Sequence, residues 1–305
     1  MFHFGSSPHL DYPVMSNTNT SFAVLGSGGA GSISPFIVDA LSEQPGVKKL
    51  NFASRSLPAN AELVPVDYDD HSALVEIFKK YSIDVVVSTL PLPAVLDAQK
   101  KAAVAAKEAG VKLFVPSEYG FITFGLAGTG NILSEKDEFT AFLTSIGLPY
   151  SLFFTGAWIR FIPFFIGYES NQKVNIVGKG ETPVSFTAEE DLAVPSGFIA
   201  HVTTTLPQSR LSNAHFRIQN EHLTLCQLAD RLQKPFVFTD YIPGQEPYAS
   251  LRAFLLSQFE AGTASTGWNH VEQRENPKDS DEAAGSANHL WEGYVWKKLE
   301  DIVGL

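Results

Sequence analysis

The chain predicts an α/β fold: a doubly wound parallel sheet followed by a smaller, mixed α/β unit. Three observations predict it. An apolar run, Phe22-Ala23-Val24-Leu25, leads straight into a glycine-rich turn and a helix-compatible stretch over 33–41. Strand-like and helix-like segments then alternate to residue 154, the signature of a parallel sheet wrapped by helices. The run Val85-Val86-Val87 is apolar at every position, as a strand buried on both faces requires.

The glycine turn has a physical task. Gly26, Gly28 and Gly31 stand at the G-x-G-x-x-G spacing. The first glycine permits a tight turn, the second lets backbone approach a pyrophosphate, and the third lets helix and strand pack closely. Phosphates then sit on free N–H groups at the helix N-terminus, where the dipole favours anions. A second frame, Gly28, Gly31 and Ser34, reads as G-x-x-G-x-x-S, so the role of each glycine stays open. Cofactor contacts are expected from Gly26, Ser27, Gly28, Gly31, Ser32 and Ile33. The sheet is therefore expected to be of Rossmann type.

Further strands are expected at 49–54, 62–67, 84–90, 111–116 and 150–154, with a seventh at 216–219. Helices fill 72–81 and 94–109. Dinucleotide folds place an acidic residue roughly 20 residues past the glycine loop, on the ribose hydroxyls of NAD. No Asp or Glu lies between Leu50 and Ala61; Arg55, flanked by Ser54 and Ser56, stands there instead. A guanidinium suits a 2′-phosphate, so NADP(H) is expected, held by Arg55 and Ser56. Asp67 is expected beside the adenine or as a helix cap. Thr89 and Pro91 close the fourth strand and Ser117 the fifth, at the carboxyl edge where such sheets bind ligands.

Lys136 opens a helix whose apolar positions Phe139, Phe142, Leu143 and Ile146 form an i, i+3, i+4, i+7 stripe. Ser134 is expected as its N-cap. Lys136 lies at the rim of the buried face, where the helix dipole and partial burial both push a lysine pKa down, towards acid–base use. On spacing alone a snorkelling surface lysine reads better. Tyr294 and Lys298 form a Tyr-x-x-x-Lys pair, but near the C-terminus, on an expected amphipathic helix over 289–302.

Composition narrows the function. The chain has 305 residues, 44% hydrophobic and 18% charged, with net charge −11. No Lys/Arg cluster suits a nucleic-acid backbone. Cys226 is the only cysteine, which excludes an intrachain disulfide and a cysteine metal site; no metal is expected. The run 152–167 is broken by Arg160 and Pro163 and is too short to span a bilayer. Residues 1–20 are expected as a disordered lead-in without a signal-peptide apolar core. The nucleotide domain is expected over 21–155 with 185–220, and the substrate domain over 156–184 and 221–305, including a mobile loop at 261–288. A cytoplasmic monomer or homodimer is expected.

These residues resemble the NmrA-like and isoflavone reductase-like branch of the atypical short-chain dehydrogenases, from about Ser21 to His222. The family's Pro-Ser-Glu-Phe-Gly stands here as Pro116-Ser117-Glu118-Tyr119-Gly120. Its active lysine sits on a helix ending in Gly-Ile-Pro-Tyr; Lys136 stands thirteen residues before Pro149 in Gly147-Leu148-Pro149-Tyr150. The stretch from Val184-Ser185-Phe186 to Asp191 matches a further family pattern. The resemblance implies that Lys136 is the catalytic residue and that Thr155 and Gly156 border the nicotinamide. It implies a substrate pocket from Glu118, Tyr119, Trp158, Phe161, Phe164, Phe165 and Tyr168. The plant enzymes carry an Asn near Gly156, absent here, so their substrates do not transfer. The expected function is NADP(H)-dependent oxidoreduction of a bulky apolar or aromatic small molecule, a specialised metabolite. Two alternatives stand beside it: amine or alcohol oxidation coupled to cyclisation, and a non-catalytic NADP(H) sensor.

Overall fold

A computed structural model describes residues 19–26, 33–47, 49–51, 59–193 and 197–305. The glycine loop from Ser27 to Ser32, with Gly28 and Gly31, and the pair Arg55 and Ser56 lie outside them, as do most residues of the expected lead-in.

The chain begins with β1 (Ser21–Leu25) and α1 (Ser34–Ser42), then β2 (Lys49–Asn51) and β3 (Ala61–Glu62). Pro65 follows closely, and the third strand is shorter than its apolar pattern predicts, since proline cannot donate to a ladder. Next come α2 (His71–Lys80), β4 (Val85–Ser88), α3 (Lys100–Ala109) and β5 (Leu113–Val115). The Asp70 carboxylate caps α2 by accepting from Ala73 N at 2.9 Å. These five strands are all parallel, in the order β3-β2-β1-β4-β5. The order reverses direction between β1 and β4, which defines the ligand crevice of an open α/β sheet.

The chain continues through α4 (Ser134–Ser145) to β6 (Ser151–Phe154). Phe114 N donates to Pro149 O at 2.8 Å, and Phe114 and Tyr150 form a parallel bridge, joining β6 to the sheet edge. Then come β7 (Ala157–Trp158), α5 (Ile162–Phe165), β8 (Val174–Val177) and β9 (Val184–Thr187). Two short helices follow, α6 (Glu189–Ala193) and α7 (Phe198–Thr205). Gly197, at φ −54° and ψ 158°, is outside the helical region and precedes α7. After α8 (Gln208–Leu211), β10 (Ala214–Arg217) pairs parallel with β6.

Burial shows both sheet faces covered. Phe22, Val24, Val85, Val87, Leu113, Val115 and Phe153 meet α1 and α7 on one face. Ala23, Leu25, Val86, Phe114, Leu152 and Phe154 meet α2, α3 and α4 on the other. The alternation is the two-residue period of a strand. Each fully buried Phe or Leu contributes about 1.5–3 kcal/mol.

A third core belongs to the later segments. β11 (Glu221–Leu223) pairs antiparallel with β9, which pairs parallel with β7. Behind them lie α9 (Leu225–Leu232), β12 (Phe236–Thr239), paired parallel with β8, and α10 (Tyr248–Ala261). Segment 261–288, expected as a mobile loop, carries a hairpin of β13 (Trp268–Asn269) and β14 (Arg274–Glu275). Three of its polar residues, Ser265, Thr266 and Asn276, are buried: Thr266 N–H donates to Ser185 Oγ at 2.9 Å, and Arg217 Nη1 donates to the Thr266 carbonyl at 2.6 Å.

The amphipathic helix expected over 289–302 is absent. A single 3₁₀ turn (Asn288–Leu290) is followed by turns and extended chain, and only α11 (Glu300–Val303) is helical. Gly293 at φ +77° breaks any helix, and the aromatics anchor the extended chain. Trp291 stacks on Tyr294 with centroids 3.6 Å apart, and Trp296 packs on Phe198 at 5.9 Å.

Candidate functional site

The loops after β5 and β6 are bound to each other. Gly120 O accepts from both Thr155 N and Gly156 N at 2.9 Å. Gly156 has φ +66°, and a Cβ there would lie 2.2 Å from Ser185 O in β9. Only glycine lets these two strands approach so closely.

Beside this clamp lies a cavity of about 560 Å³, within the range of small-molecule sites. The β5 loop contributes Glu118, Tyr119, Phe121 and Thr123; α4 contributes Lys136, with Leu133 just before it. The segment after β6 contributes Gly156, Ala157 and Trp158, and α5 with the turn before it gives Phe161, Phe164 and Phe165. Tyr248, Leu251, Phe254 and Leu255 of α10 close the far wall.

Lys136 is in the first turn of α4. Ser134, expected as its N-cap, is already helical; the cap is Leu133, without a side-chain hydrogen bond. The Phe139 and Leu143 positions of the predicted stripe are buried and Phe142 and Ile146 half-buried, which turns Lys136 towards the cavity. Its side chain is 16% exposed. Nζ donates to Glu118 O at 2.9 Å and lies 3.8 Å from Glu118 Oε2. Burial pushes the Lys136 ammonium pKa below its ordinary value, against the opposing pull of the Glu118 charge.

Glu118 is 3% exposed. Burial raises its carboxyl pKa to about 7, against the lowering effects of Lys136 and the Thr123 hydroxyl and with a smaller raise from Asp137. Among the described residues, Glu118 Oε2, Tyr119 Oη and Thr123 Oγ1 are buried without a hydrogen-bond partner. Such groups cost about 1–3 kcal/mol each unless something else bonds them. Tyr119 also has φ +21°, a backbone region that side chains avoid. Burial and the Glu118 charge push its phenol well above the usual range, so it stays a neutral donor.

The expected nucleotide contacts gather at the carboxyl edge of the sheet. Gly26 ends β1 at φ +113°, and a Cβ there would lie 2.5 Å from Thr89 Oγ1. Thr89 donates from both N and Oγ1 to Leu25 O at 2.8 Å, tying β4 to β1 at the switch point. Ser117 N donates at 3.0 Å to Oε1 of Gln99, a buried side chain in a π-turn (Val95–Gln99) before α3. Pro91 is exposed and opens the 3₁₀ turn Leu92–Ala94, while Ile33 is a core residue whose carbonyl accepts from Ile37 N. Thr155 is fully buried, its carbonyl accepting from Thr187 Oγ1 at 2.6 Å.

Three expectations are corrected. Asp67 stands in a loop past β3 and accepts from Asp69 N at 2.9 Å; the helix cap is Asp70. Tyr168 lies outside the cavity, in a 3₁₀ turn with Lys234 5.5 Å over its ring. Tyr294 is on no helix: its hydroxyl donates to buried Asp191 at 2.6 Å, and Lys297 N donates to the same carboxylate at 2.8 Å. The α10 wall, Phe121 and Gln99 were not foreseen. The Tyr248, Leu251, Leu255 spacing on α10 was visible, but nothing local tied it to Lys136.

A doubly wound nucleotide-binding sheet whose lysine-bearing cavity opens at its carboxyl edge defines the class. Residues 28–230 match the NmrA-like family, and the chain belongs to it. It is 29% identical over 194 residues to the isoflavone reductase homolog P3 of Arabidopsis thaliana, covering 56% of this chain and 62% of that protein. It is 31% identical over 185 residues to pinoresinol reductase 1 of the same plant, covering 55% of each. The chain thus matches under two thirds of these relatives' lengths. Leucoanthocyanidin reductase of Vitis vinifera, solved as a binary complex with NADPH, shares the fold at TM-score 0.68 and 19% identity, covering 93% of this chain and 98% of that one. No helix among the described residues is long and apolar enough to cross a membrane.

Proposed function

We propose that this chain is an NADPH-dependent reductase of a bulky, aromatic small molecule, a specialised metabolite, with Lys136 as general acid/base. The observation that carries this reading is the Lys136 amine, held at 2.9 Å on Glu118 O, as the cationic side chain of a largely aromatic cavity.

The residues fit the cofactor. Gly26, Thr89 and Ser117 stand at the switch-point edge, and Gly26 has no room for a side chain. They would hold the nucleotide together with Thr155 and Gly156, while Arg55 and Ser56 would take the 2′-phosphate. When bound, NADPH supplies the hydride. Lys136 supplies the proton to the reacting heteroatom, its lowered pKa bringing it nearer operating pH. Trp158, Phe161 and Phe165 hold the aromatic body by burial and ring contacts and exclude water. The relatives named as reductases, and the NADPH complex among the structural neighbours, support the reading.

The test begins with NADPH and NADH titrations followed by tryptophan fluorescence, on the native chain and Arg55→Ala. NADPH binding that weakens with Arg55→Ala is expected. A panel of phenolic and alkaloid-like acceptors is then assayed by NADPH oxidation. Lys136→Ala is expected to keep NADPH binding and lose about 10²–10⁴-fold in turnover. Unchanged turnover removes Lys136 from the chemistry; binding of neither nucleotide overturns the reductase reading.

A further inference from the structure

Lys136 and Glu118 come from different elements and meet at the cavity wall. Lys136 Nζ spends one donor on the Glu118 carbonyl, which fixes the amine over the β5 loop. The same arrangement leaves Glu118 Oε2 3.8 Å from Nζ, buried and without a hydrogen bond. Leu133, Phe161, Phe164 and Phe165 of the wall offer no donor to a carboxylate, and the Thr123 hydroxyl is the neutral group beside it. Among the described residues, Lys136 is the one cation acting on a charged Glu118, and Glu118 the one anion acting on a charged Lys136.

We propose that Glu118 is the proton partner of Lys136: the two side chains hold a single proton between them, and Glu118 feeds Lys136 the proton it delivers. This deepens the reading of Lys136 as the acid of the site and rests on it. The step balances. The proton moves from the Glu118 carboxyl to Nζ, leaving a carboxylate and an ammonium. Nζ passes it to the substrate heteroatom that becomes basic as hydride arrives, leaving carboxylate and neutral amine. One solvent proton restores the pair. Closing the 3.8 Å gap to a hydrogen bond takes about 1 Å, within the reach of a lysine side chain.

The surroundings favour sharing. Burial raises the carboxyl and lowers the ammonium, so the two affinities for a proton converge. Asp137 raises Glu118 slightly and accepts from Gly125 N and Ala127 N, each at 2.9 Å. Tyr119 stays a neutral phenol. Tyr248 is the remaining titratable group of the wall, from α10. Arg160, before α5, is taken by Glu189 at 2.7 Å.

The pair is tested without substrate or cofactor. The full-length chain is labelled with limiting acetic anhydride across a pH series, and acetylation of Lys136 is read by peptide mass spectrometry against an exposed lysine. Labelling follows the neutral amine, so its midpoint reports the Lys136 pKa. The native midpoint is expected below that of the exposed lysine. In Glu118→Gln it is expected to fall further, by roughly 1–3 units, because an opposite charge at this distance holds the ammonium; Glu118→Asp restores part of the shift. An unchanged midpoint in Glu118→Gln overturns the proposal. If Glu118→Gln does not fold, the reciprocal experiment decides. Carboxyl ¹³C NMR of Lys136→Met should show the Glu118 titration moving upward, and no movement overturns the proposal equally. A coupled pair with turnover unaffected by Lys136→Ala would retain the pair and remove the catalytic reading, so the two failures are distinct.

Discussion

Gly156→Ala is the substitution that most sharply tests how the site is held. Its Cβ would sit 2.2 Å from Ser185 O and 2.8 Å from the Ser185 carbonyl carbon. Ser185 has little freedom to yield: it is fully buried, its N–H donates to Ala264 O, and its hydroxyl donates to Gln219 Oε1 at 2.6 Å and accepts from Thr266 N. Two costs add. Alanine at φ +66° costs roughly 1–2 kcal/mol. Moving packed backbone by about 1 Å costs a further ~1–3 kcal/mol, the usual range for overpacking. Gly110→Ala is the control, because Gly110 also has a left-handed φ, +81°, but nothing within 4 Å of the added Cβ. Differential scanning fluorimetry of both variants separates strain from collision. Gly156→Ala is expected to lower Tm by about 5–15 °C and Gly110→Ala by a few degrees, using ~2–4 °C per kcal/mol. Equal losses would refute the argument that β9 dictates the glycine.

Other substitutions probe the wall, the carboxyl and the C-terminal anchor. Phe165, 5% exposed and 5.2 Å from the Phe259 ring, should lose about 3–5 kcal/mol as Phe165→Ala in urea denaturation. Phe161, 39% exposed, should lose little stability as Phe161→Ala but weaken binding of an aromatic ligand by calorimetry. Glu118 in the folded chain has a carboxyl pKa raised to about 7. Its contribution is therefore full below the unfolded carboxyl value and lost as pH rises through the folded one. Urea midpoints of the native chain should fall across that window more than those of Glu118→Gln; parallel curves would count against the burial argument. Asp191→Ala removes the acceptor for Tyr294 Oη and Lys297 N. Hydrogen exchange should quicken across 291–299 with little change in β1 and β4, and unchanged protection there would sink the anchoring role.

Local pattern was enough for the sheet. Val85-Val86-Val87 read as a doubly covered strand, and its side chains do divide between the two cores. The α4 stripe places Lys136 at the rim of the buried face, where spacing alone favours a snorkelling surface lysine; in the structure its side chain is 16% exposed. What escaped depends on contacts far apart in sequence. Residues 289–302 carry apolar spacing fit for a helix, yet Gly293, the Trp291–Tyr294 stack and Asp191, about a hundred residues earlier, hold most of them extended. The stretch after α10 read as a mobile loop because its hydrogen-bond partners lie far off in sequence: Ser185 of β9 accepts from Thr266 N, and Arg217 of β10 donates to Thr266 O. Lys136 and Glu118 are eighteen residues apart with no shared periodicity; only the β5 loop, bent through Tyr119 at φ +21°, brings them within 3.8 Å.

The cavity divides its labour between the two parts of the fold. Both ionisable groups of the proposed proton pair come from the sheet and its helices, Glu118 after β5 and Lys136 on α4, on a frame that Gly120, Thr155 and Gly156 lock together. The opposite wall comes from α5 and α10, whose contributions are almost wholly apolar. Leu251 and Tyr248 on α10 are 48% and 64% exposed, so they carry little of the core's packing. A change at these positions reshapes the space offered to a substrate while leaving the Nζ–Glu118 contact in place. On the proposed reading, substrate range is set by α5 and α10 and proton delivery by the sheet edge, so variants of Tyr248 and Leu251 should move KM between aromatic acceptors, whereas Lys136 and Glu118 variants should lower turnover for all of them alike.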